Sequence, residues 1–406
     1  MLQGKHIVVG ISGGIAAYKI PELIRRLVKA GAEVKVTCSC HALEFVTETT
    51  LRTVSGNAVY SDVFAAVNAH STEHISLPEW ADMMLVAPAT ANVLGKMASG
   101  IADDALTTTF AATVARKTVV VAPAMNDKMY SNAATQNAIQ HLAGMDGVRV
   151  IDCAEGFLAC GTTGKGRMQD IEVLVEAVEA ALSEQTLKGR HILVTAGPTR
   201  EAIDPVRYVS NYSSGKMGYA LAHECARRGA EVVLVSGPCH EPCINVPYFG
   251  RVFGSIRRIA VESAHAMYEA ATAAWQECDT AILSAAVADF TPAEVASEKR
   301  KKQPGQTEMQ LNMVLTEDIA AALGQSKQPY QRLIGFALET EHERENALKK
   351  LTGKHMDAIV LNSLRDAGAG FGVDTNKVCM IFADGQEKDL PLMTKQEVAQ
   401  CIVATI

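Results

Sequence analysis

Two stretches of the chain, 185 residues apart, open alike: residues 2–14 read LQGKHIVVGISGG and residues 187–199 read LKGRHILVTAGPT. Each is a glycine, a basic residue, a β-rich run and a glycine-containing turn. The echo continues, because Lys29-Ala30-Gly31-Ala32-Glu33-Val34-Lys35-Val36 is answered by Arg227-Arg228-Gly229-Ala230-Glu231-Val232-Val233-Leu234. Gly31 and Gly229 follow a basic helix end, where a left-handed C-cap is expected before a new strand. Both halves therefore open as strand–turn–helix–Gly–strand, the start of a parallel βαβ unit. A period this long is no solenoid, and it predicts an α/β chain of two doubly wound, Rossmann-like domains. The 406 residues are enough for two separate cores.

The echo drifts. Gly4 to Gly189 is 185 residues but Gly31 to Gly229 is 198, so the second half carries 13 extra residues in or near TREAIDPVRYVSNYSSGKMG. Ligand loops of such sheets lie past the carboxyl ends of strands, which is where this surplus falls. Met83–Ala87 and Thr118–Ala122 read as short buried strands, each ending at a proline. Ile171–Leu182 reads as a helix closing the first domain, which gives domains at 1–182 and 189–406 with a linker at 183–188. In the second half, Thr280–Val287, Leu333–Leu338 and Ala358–Leu361 read as strands, and Glu341–Lys354 and Lys395–Ala404 as helices. Pro21 would kink its helix unless the helix restarts there.

Thirty-eight basic residues against 45 acidic ones leave a net charge of −7, which disfavours a protein that binds nucleic acid by charge. No apolar run reaches the ~18 residues of a membrane span, and the strand-like His6-Ile7-Val8-Val9 leaves no room for a signal peptide. Ten cysteines without a C-x-x-C pair do not make a disulfide scaffold. The expectation is a cytoplasmic, thiol-reduced protein.

The first turn, Gly10-Ile11-Ser12-Gly13-Gly14, is not G-x-G-x-x-G, and strand two ends Val36-Thr37-Cys38-Ser39 with no acid for a ribose. Both features disfavour a nicotinamide dinucleotide. A Gly/Ser turn feeding a helix N-terminus suits a single phosphate, although a tight turn would use the same glycines. Ala87–Asn92 and Ala122–Met129 each follow a buried strand with small residues and an Asn, as a flat ring approaching the backbone requires. Ala159–Met168 is a Gly-rich stretch with a single cysteine, Cys160, and reads as a mobile active-site lid. His74 alone reads as a structural histidine. Glu298-Lys299-Arg300-Lys301-Lys302 is either a solvated loop or a set of ammonium groups for a triphosphate. Cys239, His240 and Cys243 do not have zinc spacing.

In this order, Ser12–Lys19, His74, Pro88–Asn92, Pro123–Met129 and Ala159–Met168 resemble the homo-oligomeric flavin-containing cysteine decarboxylases. Ala196–Glu201, Asp204–Tyr208, Ser210-Asn211, Ser213–Gly218 and Ala285–Asp289 resemble the phosphopantothenate–cysteine ligases. Together the chain is similar, along nearly its whole length, to the bifunctional bacterial coenzyme A biosynthesis proteins. The resemblance implies a flavodoxin-like flavoprotein domain followed by a nucleotide-binding domain. It places FMN on Ser12, Gly13, Gly14, Ser39, Pro88, Thr90 and Asn92. It makes His74 catalytic, sets Asn126 on the substrate carboxylate and makes Cys160 the proton donor. For the ligase it implies CTP on Ala285, Asp289, Lys299, Thr316, Glu317, Asp318, Ile319, Phe336, Lys350 and Lys354, with Mg²⁺ at Asp289. Arg207, Asn211 and Lys299 would carry its chemistry, Lys299 as a cation on the departing pyrophosphate and Asn211 as an amide donor. Ser39 stands where the family often has Thr, and Thr316-Glu317-Asp318-Ile319 where it often has Asn-Pro-Asp-Ile. Small-molecule substrates (4′-phosphopantothenate, cysteine and CTP), trimers of the flavin half, dimers of the ligase half and a dodecamer combining them are implied as well. The rival readings are a non-catalytic flavin-binding regulatory protein and an NAD(P)-dependent oxidoreductase.

Overall fold

Strands β1 (His6–Ile11), β2 (Glu33–Cys38), β3 (Val59–Tyr60), β4 (Met83–Ala89), β5 (Thr118–Pro123) and β6 (Val148–Val150) pair in parallel in the order β3-β2-β1-β4-β5-β6. Every residue of β4 is buried, as a strand covered by helices on both faces must be. The computed structural model describes residues 2–64, 73–114, 116–157, 161, 163–239, 254–301, 307–339, 341–363, 368, 370 and 372–406. They divide into two compact units, Met1–Glu184 and Gln185–Ile406.

In the first unit, β4 and β5 continue through Pro88 and Pro123 instead of stopping before them. A proline lacks only the N–H, so the ladder shifts register after Val86 and resumes with Ala89 opposite Pro123. Pro21 does not kink a helix. A 3₁₀ turn, Ile15–Lys19, leads into the helix Ile20–Lys29, and Pro21 sits in its first turn, where no N–H partner is lost. That helix buries Ile20, Leu23, Ile24 and Leu27, one face at helical spacing. Of the stretch expected as a mobile lid, Thr163–Arg167 forms β8, paired antiparallel with β7 (Ala154–Phe157), and residues 159, 160 and 162 lie outside the described residues.

In the second unit the strands are β9 (His191–Ala196), β10 (Arg200–Ala202), β11 (Tyr208–Ser210), β12 (Glu231–Ser236), β13 (Ser255–Ala260), β14 (Thr280–Leu283), β15 (Phe290–Pro292), β16 (Met313–Leu315), β17 (Arg332–Glu339), β18 (Ala358–Ser363), β19 (Thr375–Phe382) and β20 (Glu387–Thr394). Its main sheet runs β13-β12-β9-β14-β17-β18-β19-β20. The first six strands are parallel and wound as in the first unit, so the sequence echo is an architectural one. β19 and β20 add an antiparallel edge that a doubly wound expectation does not contain. The 13-residue surplus is accounted for by the hairpin β10–β11, inserted between β9 and the helix Lys216–Arg227. The stretch expected as a linker is partly built in: Leu187 is buried with its N–H on the Arg228 carbonyl, and the Gln185 amide donates to the Arg227 carbonyl.

Helices Lys216–Arg227 and Lys395–Val403 cover one face of this sheet; Ala264–Trp275, Ile319–Ser326 and Glu343–Gly353 cover the other. A capping box at Thr394 and Glu397 starts the last helix, a device worth about 1 kcal/mol. On the helix Lys216–Arg227, burial pushes the His223 imidazole down to about 4, so the fold holds it neutral. The unfolded chain takes up that proton below its ordinary value of 6.5, so the contribution is whole above pH 6.5 and is lost as pH falls towards 4. Acid denaturation followed by circular dichroism should therefore be less steep over this window in His223→Gln. An unchanged profile would remove His223 as a source of acid sensitivity.

Candidate active sites

In open α/β sheets the ligand crevice lies past the strand ends where the winding reverses, here between β1 and β4 and again between β9 and β14. Ser12 follows β1. Its hydroxyl is fully buried, donates to the Pro88 carbonyl at 2.6 Å and accepts from the Thr90 N–H at 3.0 Å. Ser12 thus braces the two strand ends together through its hydroxyl. The mouth also offers backbone N–H groups and the side chains of Thr90 and Asn92. Thr90 caps the helix Ala91–Ala98 without using its side chain on it, and Asn92 is exposed in the first turn. Gly13 and Gly14 have no room for a side chain: a Cβ on Gly13 would lie 2.5 Å from the Cβ of His41, and one on Gly14 would lie 2.9 Å from Thr90 Cγ2. Ser39, at the end of β2, is buried and donates its N–H to the Ile11 carbonyl. The neighbouring Thr37 hydroxyl is buried without a partner, a cost of order 1–3 kcal/mol that a polar ligand would remove. Side-chain-free turns, an uncapped helix start and an orphaned hydroxyl together fit a phosphorylated flat group.

Asn126 caps the short helix Asp127–Tyr130 through its Oδ1. Its loop is pressed against the β7–β8 hairpin. The Met125 N–H donates to the Gly166 carbonyl at 2.9 Å, and a Cβ on Gly166 would lie 2.5 Å from the Met125 carbonyl oxygen. Cys160 lies outside the described residues, so the structure brings the Asn126 loop to the hairpin but does not place the thiol. The hairpin base is held by Asp152, which accepts from the Tyr130 hydroxyl and the Lys165 ammonium, both at 2.5 Å. Sequence reasoning passed over this triad because its members are 22 and 13 residues apart. His74 is half-buried in the first turn of the helix Glu73–Trp80.

In the second unit the strand ends are crowded by glycines. Gly197 and Gly215, both at positive φ, would each bring a Cβ to 2.4 Å from the Cys239 sulfur. The expected strand Thr280–Val287 stops at Leu283, because the next N–H groups turn towards the β9 loop. Ala285 donates to the Thr195 hydroxyl, Ala286 to the Gly197 carbonyl and Ala288 to the Thr199 hydroxyl. Asn211 donates its amide to the carbonyls of Ala286 (2.9 Å) and Val287 (3.2 Å). Its amide nitrogen is used on the protein backbone, and its Oδ1 is an acceptor. Arg207 is also engaged, with Nη2 on Asp204 at 2.5 Å and on the Arg300 carbonyl at 2.7 Å. Its charge is neutralised within the fold. Lys299 is exposed one residue before that tie.

The expected nucleotide residues gather along β14, β17 and the helices beside them, but many are already bonded. Thr316 donates its hydroxyl to the Ala288 carbonyl and its N–H to the Asp289 carbonyl. Glu317 pairs with His265 at 2.7 Å; the hydrogen bond lowers the carboxyl and raises the imidazole. Asp318 caps the helix Ile319–Ser326 and meets Lys354 at 2.8 Å, and Ile319 is buried. Lys350 meets Glu339 at 2.7 Å. Phe336 packs on the opposite face of the sheet from the helix that carries Lys350. Asp289 is exposed, and among the described residues no three His, Cys, Asp or Glu side chains converge as a metal site. His240 and Cys243 lie outside the described residues.

Two doubly wound domains, each with a glycine turn at its winding switch, define a two-domain α/β protein of the class that binds ligands past the carboxyl ends of its strands. Residues 1–183 match the family described as Flavoprotein, and residues 187–406 match the DNA/pantothenate metabolism flavoprotein C-terminal domain. The chain is 46% identical over 402 residues to the coenzyme A biosynthesis bifunctional protein CoaBC of Bacillus subtilis (strain 168), covering 98% of this chain and 96% of that one. It is 43% identical over 406 residues to the CoaBC of Vibrio vulnificus (strain CMCP6), covering 100% and 98%. Among solved structures it is similar to the C-terminal domain of a CoaBC protein, at 42% identity and a TM-score of 0.44, covering 55% of this chain and 96% of that one. The chain belongs to the CoaBC family of bifunctional coenzyme A biosynthesis proteins, and is an enzyme with a flavoprotein decarboxylase half and a ligase half. No helix among the described residues is long and apolar enough to cross a membrane.

Proposed function

We propose that residues 189–406 join cysteine to 4′-phosphopantothenate using CTP, through an acyl-cytidylate, and that residues 1–182 decarboxylate the product to 4′-phosphopantetheine using FMN. The observation that carries this reading is the pair of equivalent mouths, one on each parallel sheet. At each, glycines let the chain pack where a Cβ would collide, Gly13 against His41 and Gly14 against Thr90 in the first half, Gly197 and Gly215 both against the Cys239 sulfur in the second. In the first half, Gly13, Gly14, Ser39, Thr90 and Asn92 would seat the FMN phosphate through backbone donors and short side chains, with Ser12 and Pro88 fixing the seat. FMN, when bound there, supplies the two-electron acceptor that makes loss of the carboxylate feasible. Asn126 would hold the substrate carboxylate beside the hairpin, His74 would take the thiol proton, and Cys160 would return a proton to carbon.

In the ligase half, Lys299 and a Mg²⁺ at Asp289 would share the charge that develops as pyrophosphate leaves. Lys350 and Lys354 would exchange part of their carboxylate pairing for the nucleotide. Substrates of this kind fit a cytoplasmic enzyme, and trimers of the first half with dimers of the second fit a dodecamer. The deciding experiment is mass spectrometry of the products from 4′-phosphopantothenate, cysteine, CTP and Mg²⁺. Formation of 4′-phosphopantetheine with cytidine monophosphate supports the reading, and failure to form any amide ends it. Within the first half, Cys160→Ser should still release carbon dioxide but accumulate the unprotonated enethiol, whereas His74→Asn should stop before oxidation. Normal turnover by Cys160→Ser would remove the proton-donor role.

A further inference from the structure

Asp204 has no part in the roles assigned above, yet among the described residues it is a heavily bonded loop carboxylate. It is buried, and its Oδ1 accepts from the N–H groups of Val206 and Arg207, both at 2.9 Å. Its Oδ2 accepts from Arg207 Nε at 3.0 Å, from Arg207 Nη2 at 2.5 Å and, 96 residues further along the chain, from the Arg300 N–H at 3.1 Å. Arg207 completes the link by donating to the Arg300 carbonyl at 2.7 Å. One peptide unit on each side of Arg300 is therefore gripped by the β10–β11 hairpin. The neighbouring Ala296 N–H also donates to the Ile203 carbonyl at the start of the same turn.

We propose that Asp204 is a positioning residue of the ligase, a buried carboxylate that clamps the Arg300 backbone and so fixes where Lys299 can reach. The proposal rests on the reading of Lys299 as the cation of the first half-reaction. Its logic is local. An exposed lysine at the head of a basic run samples many positions, and charge stabilisation at a departing pyrophosphate requires one. Binding both the N–H and the C=O of the next residue removes most of the backbone freedom without touching the ammonium group. The Arg207 guanidinium is the part best suited to this, because Nε and Nη2 hold the carboxylate while Nη2 also reaches the carbonyl in one rigid plane, a fixed geometry that the rotating ammonium of a lysine does not have. Asp204 would then be essential without meeting substrate, and Arg207 would be a positioning residue too.

The test uses the full-length enzyme and two readouts. Asp204→Asn keeps the shape and removes the charge. It should lower kcat for CTP-dependent pyrophosphate release by about a hundredfold, the cost of misplacing a catalytic group by an ångström, with a smaller change in the KM for CTP. The same variant should become selectively sensitive to trypsin after Lys299 and Arg300, since those two peptide bonds are the clamped ones, while cleavage elsewhere and the thermal midpoint stay near wild type. Arg207→Lys keeps the charge but loses the grip on the Arg300 carbonyl. It should show the same pattern more weakly, and it serves if Asp204→Asn does not fold. Loss of activity with unchanged trypsin cleavage at these bonds would overturn the proposal, as would faster cleavage with wild-type kcat. A wild-type enzyme that releases no pyrophosphate from CTP would instead overturn the ligase reading itself.

Discussion

Lys299→Gln should lower CTP-dependent formation of the acyl-cytidylate by about a thousandfold, the upper end of what one preorganised charge-stabilising group contributes. Amide formation should fall with it, because the second half-reaction consumes the product of the first. A cation at the departing pyrophosphate stabilises the transition state more than the ground state, so the loss should appear in kcat and not in the KM for CTP. Asn211→Asp should separate the two halves. The wild-type amide donates to the Ala286 and Val287 carbonyls and turns its acceptor oxygen the other way. Under the proposed function, that oxygen would accept from the attacking cysteine amine. A carboxylate in its place favours the protonated, non-nucleophilic amine, since a nearby negative charge raises an amine pKa. The variant should therefore still make the mixed anhydride but fail to pass it on. Chromatography without and then with cysteine decides this. A normal cytidylate rate in Lys299→Gln, or no cytidylate in Asn211→Asp, would remove the division of labour.

Gly13→Ala should strip the flavin from the first half while leaving the ligase intact. The new methyl would stand 2.5 Å from the His41 Cβ and 2.9 Å from the His41 backbone carbon and oxygen. The far end of a flexible side chain can rotate away, but backbone cannot, so the turn and the β2 loop must part. Overpacking of this kind costs about 1–3 kcal/mol, up to roughly a hundredfold in flavin affinity if it falls on the seat. The variant should purify colourless and take up FMN weakly in a fluorescence titration, while pyrophosphate release continues in a unit that has its own core. Wild-type flavin affinity in Gly13→Ala would show that the turn does not form the seat.

Much of the architecture is present in the residues themselves. A strand, a glycine turn, a basic helix end and a second strand are local patterns, and their recurrence determined two parallel, doubly wound sheets. The size and place of the 13-residue surplus were likewise a matter of counting, and its location marks the β10–β11 hairpin. The antiparallel edge β19–β20 was not legible, because Glu387–Thr394 is a polar, largely exposed run without the apolar signature of a strand. The sites divide in the same way. Residue types and motifs nominated Ser12, Arg207 and Asn211, but the protein partners that position them lie 76, 93 and 75 residues away and are not legible in the sequence. A hydroxyl, a guanidinium and an amide carry the same chemistry whether they meet a ligand or the protein. Only the folded backbone, by bringing the Pro88, Arg300 and Ala286 carbonyls within 3 Å, decided that all three bind the protein first.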